Sequence, residues 1–101
     1  MLYMDSYKVY SITNLVSGKV YVGSTYRDIA TRWKEHSYPS NNKELGKDLR
    51  KLGLNNFEFK VLEEVSPIKV EQVEKEWIFK LNALKKVGGY NTYPGFFKVF
   101  L

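Results

Sequence analysis

The stretch Tyr7-Lys8-Val9-Tyr10-Ser11-Ile12-Thr13-Asn14-Leu15-Val16-Ser17-Gly18-Lys19-Val20-Tyr21-Val22 decides the fold. From Tyr7 to Ile12 the side chains alternate as in a β-strand, with Val9 and Ser11 on one face and Tyr10 and Ile12 on the other. Lys19 to Val22 reads as a second strand, rich in Val and Tyr. The connection Asn14-Leu15-Val16-Ser17-Gly18 is short and ends in Ser-Gly, so the two strands form a hairpin.

Further along, Asp28 is placed to cap a helix that runs to about His36. Ser37 to Asn42 has loop chemistry. A second helix spans Lys43 to Leu52, with Leu45, Leu49 and Leu52 on one face, and Gly53 stops it. Phe57, Phe59, Val61 and Val65 mark a third strand, the first three on one face. Ser66-Pro67 suits the start of the longest helix, which runs to about Leu84 with Val70, Val73, Trp77, Ile78 and Leu81 on its apolar stripe. Gly88-Gly89 ends the helical region. The order strand, strand, helix, helix, strand, helix predicts an α+β fold, a small antiparallel sheet with helices against it. Residues 1–101 read as one domain with a core of about 7–94. The apolar tail 95–101 reads as a fourth strand, an oligomer contact or the stump of a longer chain.

Bulk composition narrows the chemistry. The 101 residues contain no cysteine and one histidine, which excludes disulfides, thiolate metal sites, cysteine nucleophiles and multi-histidine metal centres. The formal charge of +5 favours a polyanionic partner. No apolar run approaches the ~20 residues that span a bilayer. Met1-Leu2-Tyr3-Met4-Asp5 lacks the basic-then-apolar pattern of a signal peptide, so a cytoplasmic location is expected.

The informative residues are polar groups in apolar positions. Glu74 lies four after Val70 and four before Ile78, inside the buried stripe of the last helix. A buried carboxylate needs a partner. An edge position or an ion pair with Lys or Arg supplies one; so does a hard divalent cation. Arg32 and His36, four apart, share one face of the first helix. Exposed polar faces are the commoner fate of such pairs, but Arg beside His also suits a phosphate. Tyr10 and Tyr21 sit on the two arms of the hairpin, where packing alone explains either one. Asn91 follows Gly88-Gly89-Tyr90, where turn chemistry suffices.

Together these residues resemble the GIY-YIG nuclease family. Lys8-Val9-Tyr10 stands at the family's first motif and Tyr21-Val22-Gly23-Ser24 at its second. Arg32-Trp33-Lys34-Glu35-His36 is similar to its Arg-centred helix, Glu74-Lys75-Glu76-Trp77 to its Glu motif, and Gly89-Tyr90-Asn91 to its terminal Asn motif. Five motifs in order cover roughly Tyr7 to Asn91, and the catalytic modules of intron-encoded homing endonucleases are the most similar members. Two departures stand out. Lys8 replaces the Gly that opens the first motif, and Ser40 or Asn41 occupies the approximate place of a second His that some homing members carry.

The resemblance implies a three-layer α/β/α arrangement around a three-stranded antiparallel sheet, and a metal-dependent endonuclease acting on DNA. It implies one divalent cation on Glu74, Mg²⁺ first and Mn²⁺ second. Arg32 then stabilises charge on the phosphate, and Tyr10 is the leading general base. A tyrosine pKa of about 10 is too high for that task at neutral pH, so a nearby cation and Arg32 must lower it. Tyr21 and His36 hydrogen-bond the water or phosphate, or relay the proton. Asn91 orients Glu74 or a water on the cation. Cutting both strands would require a dimer, sequential visits or a missing targeting domain. The rival readings are a non-catalytic nucleic-acid-binding domain of the same fold and a protein-interaction domain that uses the apolar tail.

Overall fold

A computed structural model describes residues 6–38 and 42–92. Three strands, β1 (Tyr7–Asn14), β2 (Val20–Thr25) and β3 (Phe57–Val65), form one antiparallel sheet in the order β2-β1-β3. The helices are α1 (Ile29–Glu35), α2 (Lys43–Leu52) and α3 (Val70–Lys80). The apolar tail 95–101 and the pair Ser40 and Asn41 lie outside the described residues.

The hairpin turns where expected because Asn14 closes it. Its side-chain oxygen accepts from the amides of Val16 (2.9 Å) and Ser17 (3.1 Å), and Gly18 supplies the left-handed φ of 84°. Asp28 caps α1 by accepting from the Thr31 amide at 3.0 Å. Asn42 caps α2 in the same way through Leu45, and Gly53 with φ 87° ends it.

Because β1 is central, both of its faces are covered. Tyr10 and Ile12 pack with Leu45, Leu49, Phe57 and Tyr90 beneath α1 and α2. Val9 packs with Val22, Ile78, Ala83 and Leu84 beneath α3. The result is helix, sheet and helix in three layers, as the family resemblance implied. Burying each of these Leu or Ile side chains stabilises the fold by about 1.5–3 kcal/mol.

One local expectation is corrected. The last helix is shorter at both ends than Ser66 to Leu84. Ser66 does not cap it; the Ser66 carbonyl accepts from the Lys69 amide (3.0 Å), so Pro67 sits at the second position of a turn and the helix starts at Val70. At the other end Asn82 takes φ 54°, the Asn82 amide bonds the Phe79 carbonyl, and Ala83 bonds the Ile78 carbonyl. This paired bonding around a left-handed residue is the Schellman stop. The third strand carries a register shift: Tyr10 faces Val61 while Val9 faces Glu63. Phe57 and Phe59 join the Tyr10 face and Val61 is exposed, whereas Leu62 and Val65 pack on the α3 face.

After α3 the chain returns along the free edge of β2. The Tyr90 amide bonds the Val20 carbonyl at 3.0 Å, and Leu84 bridges Asn91 in parallel. This last segment closes the site described next.

Candidate active site

The site is organised around a glycine. Gly23 on β2 pairs with Tyr10, and Tyr21 projects to the same face two residues earlier. The rings of Tyr10 and Tyr21 lie 6.4 Å apart across it. A Cβ at Gly23 would stand 2.8 Å from the Tyr10 hydroxyl oxygen and 2.8 Å from Tyr21 Cε2. Both tyrosines therefore depend on the missing side chain, which is the usual meaning of a glycine inside a strand.

His36, the C-cap of α1, is fully buried against these rings, 5.7 Å from Tyr10 and 5.0 Å from Tyr21 between ring centres. The Tyr10 hydroxyl and His36 Nε2 are 2.5 Å apart. One turn earlier, Arg32 comes within hydrogen-bonding reach of the same hydroxyl. Arg32 is braced by Glu35 at 3.2 Å, and Glu35 also holds Arg27 at 2.5 Å.

Glu74 approaches from the opposite layer. It is half-buried on α3 and accepts a hydrogen bond from Ser24, the β2 residue after Gly23. Its charge is felt at both Tyr10 and Tyr21. A cleft of about 230 Å³ opens here between Tyr21, Val22, Asn42, Glu74 and Asn91. A larger cleft of about 590 Å³ lies between β3 and α3, but Glu63, Glu64 and Glu76 give it an acidic wall that would repel a phosphodiester.

Asn91 lines this cleft together with Glu74. Its carboxamide oxygen accepts from the Val22 amide and its nitrogen donates to the Val22 carbonyl, both at 2.9 Å. It thus occupies the place of a neighbouring strand and fixes β2 beside Tyr21.

Proton affinities follow from burial. Burial, with Arg32 nearby, pushes the His36 pKa down to about 4. Burial and the charge of Glu74 push Tyr21 up to about 12. Burial and the neighbouring Tyr21 hold Tyr10 above its ordinary value; Arg32 acts in the lowering direction expected of it, but burial outweighs it. Burial raises Glu74 to about 7 despite the Ser24 hydrogen bond.

Among the described residues no group of three or more His, Cys, Asp or Glu side chains gathers at one point. A single hard carboxylate fits Mg²⁺, which keeps waters and takes one or two protein carboxylates plus substrate phosphate. Burial disfavours the charged form of Glu74 more than the Ser24 hydrogen bond restores it, and a cation would offset that cost.

Of the six expected site residues, Tyr10, Tyr21, Arg32 and His36 meet on one face of the hairpin, and Glu74 and Asn91 line a cleft that Tyr21 also borders. Gly23, Ser24 and Glu35 fall within the motifs but carried no role in the sequence reading, although a glycine in a Val- and Tyr-rich strand and an acid three after Arg32 were visible signals. Gly23→Ala is expected to cost about 1–3 kcal/mol, the usual range for overpacking, and to displace the Tyr10 hydroxyl from His36. Urea unfolding together with the histidine NMR signal of the variant would check this, and an unperturbed His36 resonance would count against the packing argument.

Residues 6–91 match the model of the family described as the GIY-YIG catalytic domain. Intron-associated endonuclease 1 of Enterobacteria phage T4 is 38% identical over 90 residues, covering 82% of this chain and 35% of that relative. The catalytic domain of homing endonuclease I-TevI superposes with a TM-score of 0.69 at 33% identity, over 85% of this chain and 97% of that one. A mutant of the same catalytic domain gives 0.70 at 32% identity, over 88% and 95%. The chain therefore spans about a third of the curated relative's length but nearly all of the solved catalytic domain.

Proposed function

The chain belongs to the GIY-YIG catalytic-domain family, and from that premise we propose that it is a divalent-metal-dependent endonuclease module that hydrolyses phosphodiester bonds of DNA in the cytoplasm. The observation that carries this reading is the meeting of Glu74 from one layer with Tyr10, Tyr21, Arg32 and His36 from the other. A non-catalytic binding domain accounts for the charge of +5 but not for a half-buried carboxylate that would repel DNA without a cation.

Glu74 would hold the cation, Mg²⁺ or Mn²⁺. Bound there, the metal supplies charge neutralisation at the scissile phosphate and leaving oxygen. Arg32 forks onto the phosphate, its orientation held by Glu35. Tyr10 takes a proton from the attacking water while its own proton passes to His36 Nε2, 2.5 Å away. His36 is neutral at pH 7 and so free to accept, but its low affinity returns the proton afterwards. Tyr21 and Asn91 keep the edge of β2 in place, Asn91 through Val22. One such site cuts one strand, so double-strand cleavage would need a second copy or a further targeting module.

The test is cleavage of supercoiled plasmid with Mg²⁺, Mn²⁺ or EDTA. Metal-dependent nicking that Arg32→Ala removes supports the proposal; DNA binding without nicking at any enzyme concentration overturns it. Tyr10→Phe keeps the packing and loses the proton path. Its rate should fall on the order of 10²–10⁴-fold, the range of general base catalysis, and an unaltered pH-rate profile would eliminate Tyr10 as the base.

A further inference from the structure

Tyr26 is a large aromatic side chain left 68% exposed immediately after β2. It is not loose. Its ring lies 5.6 Å from that of Tyr7, tilted by 60°, and the turn that carries it is pinned by the bond from the Arg27 amide to Thr25 Oγ1 at 3.0 Å. Thr25 pairs with Lys8 across the hairpin, so a cation flanks the same end of the sheet.

Arg27 follows directly and is also held. Its guanidinium grips both carboxylate oxygens of Glu35, at 2.5 and 3.2 Å, while Glu35 keeps one oxygen on Arg32 at 3.2 Å. One carboxylate therefore fixes two guanidinium groups relative to each other. Arg27 lies within electrostatic range of the Tyr10 hydroxyl. Two of its five N–H donors are used by Glu35, leaving donors for an anion. Asp28, the nearest acid in sequence, is engaged in capping α1 through Thr31.

We propose that Tyr26 and Arg27 form a subsite for the nucleotide next to the scissile phosphate, Tyr26 stacking on its unpaired base and Arg27 binding its phosphate. The subsite rests on the nuclease reading for its place beside the cut. An exposed π-face next to a fixed cation is the combination that binds single-stranded nucleic acid irrespective of sequence. Spacing follows from Glu35, because it sets Arg27 beside Arg32 as adjacent phosphates would require.

The experiment is fluorescence anisotropy of a labelled single-stranded oligonucleotide in EDTA, with a fully paired duplex alongside and wild-type cleavage measured separately with Mg²⁺. Tyr26→Ala should weaken single-strand binding by about 5- to 150-fold, the range that stacking of one base provides. Tyr26→Trp should retain it, and Arg27→Gln should lower the salt slope by about 1. Unchanged single-strand binding by Tyr26→Ala, or an equal loss on duplex, overturns the subsite. So does a wild type that binds no oligonucleotide. Cleavage without a Tyr26 effect sinks the subsite alone; a Tyr26 effect without wild-type cleavage sinks the nuclease reading and leaves the stacking platform standing.

Discussion

Glu74→Gln should remove DNA cleavage and, at the same time, make the metal-free protein more stable above pH 7. The loss of activity should be on the order of 10²–10³-fold or more, the effect of removing one preorganised electrostatic group at a reacting phosphate. The gain in stability follows from linkage. Burial raises the folded-state pKa of Glu74 from 4.5 to about 7, so the folded protein binds more protons than the unfolded chain between those values. Stability is therefore lost as pH rises from 4.5 through 7, and the loss is complete above 7. Glutamine carries no such slope. After allowance for solvent screening of a half-buried group, the variant should gain about 2 kcal/mol at pH 8 and nothing at pH 4. His36 works in the opposite direction, because its pKa falls to about 4 and the unfolded chain protonates first on acidification. Both proteins share that slope, so wild type and variant are compared at each pH by urea unfolding. Mg²⁺ should then raise the unfolding temperature of the wild type by mass action and leave Glu74→Gln unchanged. A variant that is less stable at pH 8, or that still gains stability from Mg²⁺, would count against Glu74 as an uncompensated buried anion and cation ligand.

Gly89→Ala is expected to produce the largest loss of stability among the glycines at described positions. A Cβ there would lie 2.1 Å from the Ala83 carbonyl oxygen, 2.3 Å from its carbon and 2.6 Å from Cα. These are backbone atoms, which cannot rotate aside as a side chain can. Relief requires the segment to move, yet it is tied by the bonds from Gly89 to the Leu84 carbonyl and from Asn91 to the Ala83 carbonyl, both 2.8 Å. Movement withdraws Tyr90 from the core, where its hydroxyl meets Asn14 and Asp48, and frees Asn91 from Val22. The expected loss is about 3 kcal/mol or more, the upper end for overpacking, which for a chain of this size lowers the melting temperature by roughly 12–24 °C. Gly88→Ala is the control. Gly88 has φ 100° but open space around its Cβ position, so its replacement should cost about 1–2 kcal/mol, the left-handed backbone penalty alone. Equal effects of the two substitutions would show that the close approach at Gly89 is not a constraint.

Much of this molecule was readable along the chain. Asn14 and Gly18 made the hairpin, Asp28 and Gly53 bounded helices, and Glu74 stood out because a carboxylate interrupted an apolar stripe. Each signal acts over four residues or fewer, through a cap, a turn or one helical face, so it survives without knowledge of the rest. The ends of α3 were misjudged even though their determinants are local: Pro67 serves a turn as readily as a first helical turn, and Asn82 competes for a left-handed stop only once Ala83 and Leu84 have core to enter.

The chemistry of the site was decided elsewhere. His36 could have been exposed; it is buried and neutral because Tyr10, 26 residues away, lies over it. Asn91 holds Val22 across 69 residues, and Glu74 reaches the tyrosines from the opposite side of the sheet. Sequence alone determined most of the elements and which polar side chains are candidates for the site, since both follow from short-range hydrogen bonding and side-chain type. Only the tertiary structure determined their proton affinities and partners, because these depend on desolvation and close approach between segments that the chain brings together from far apart.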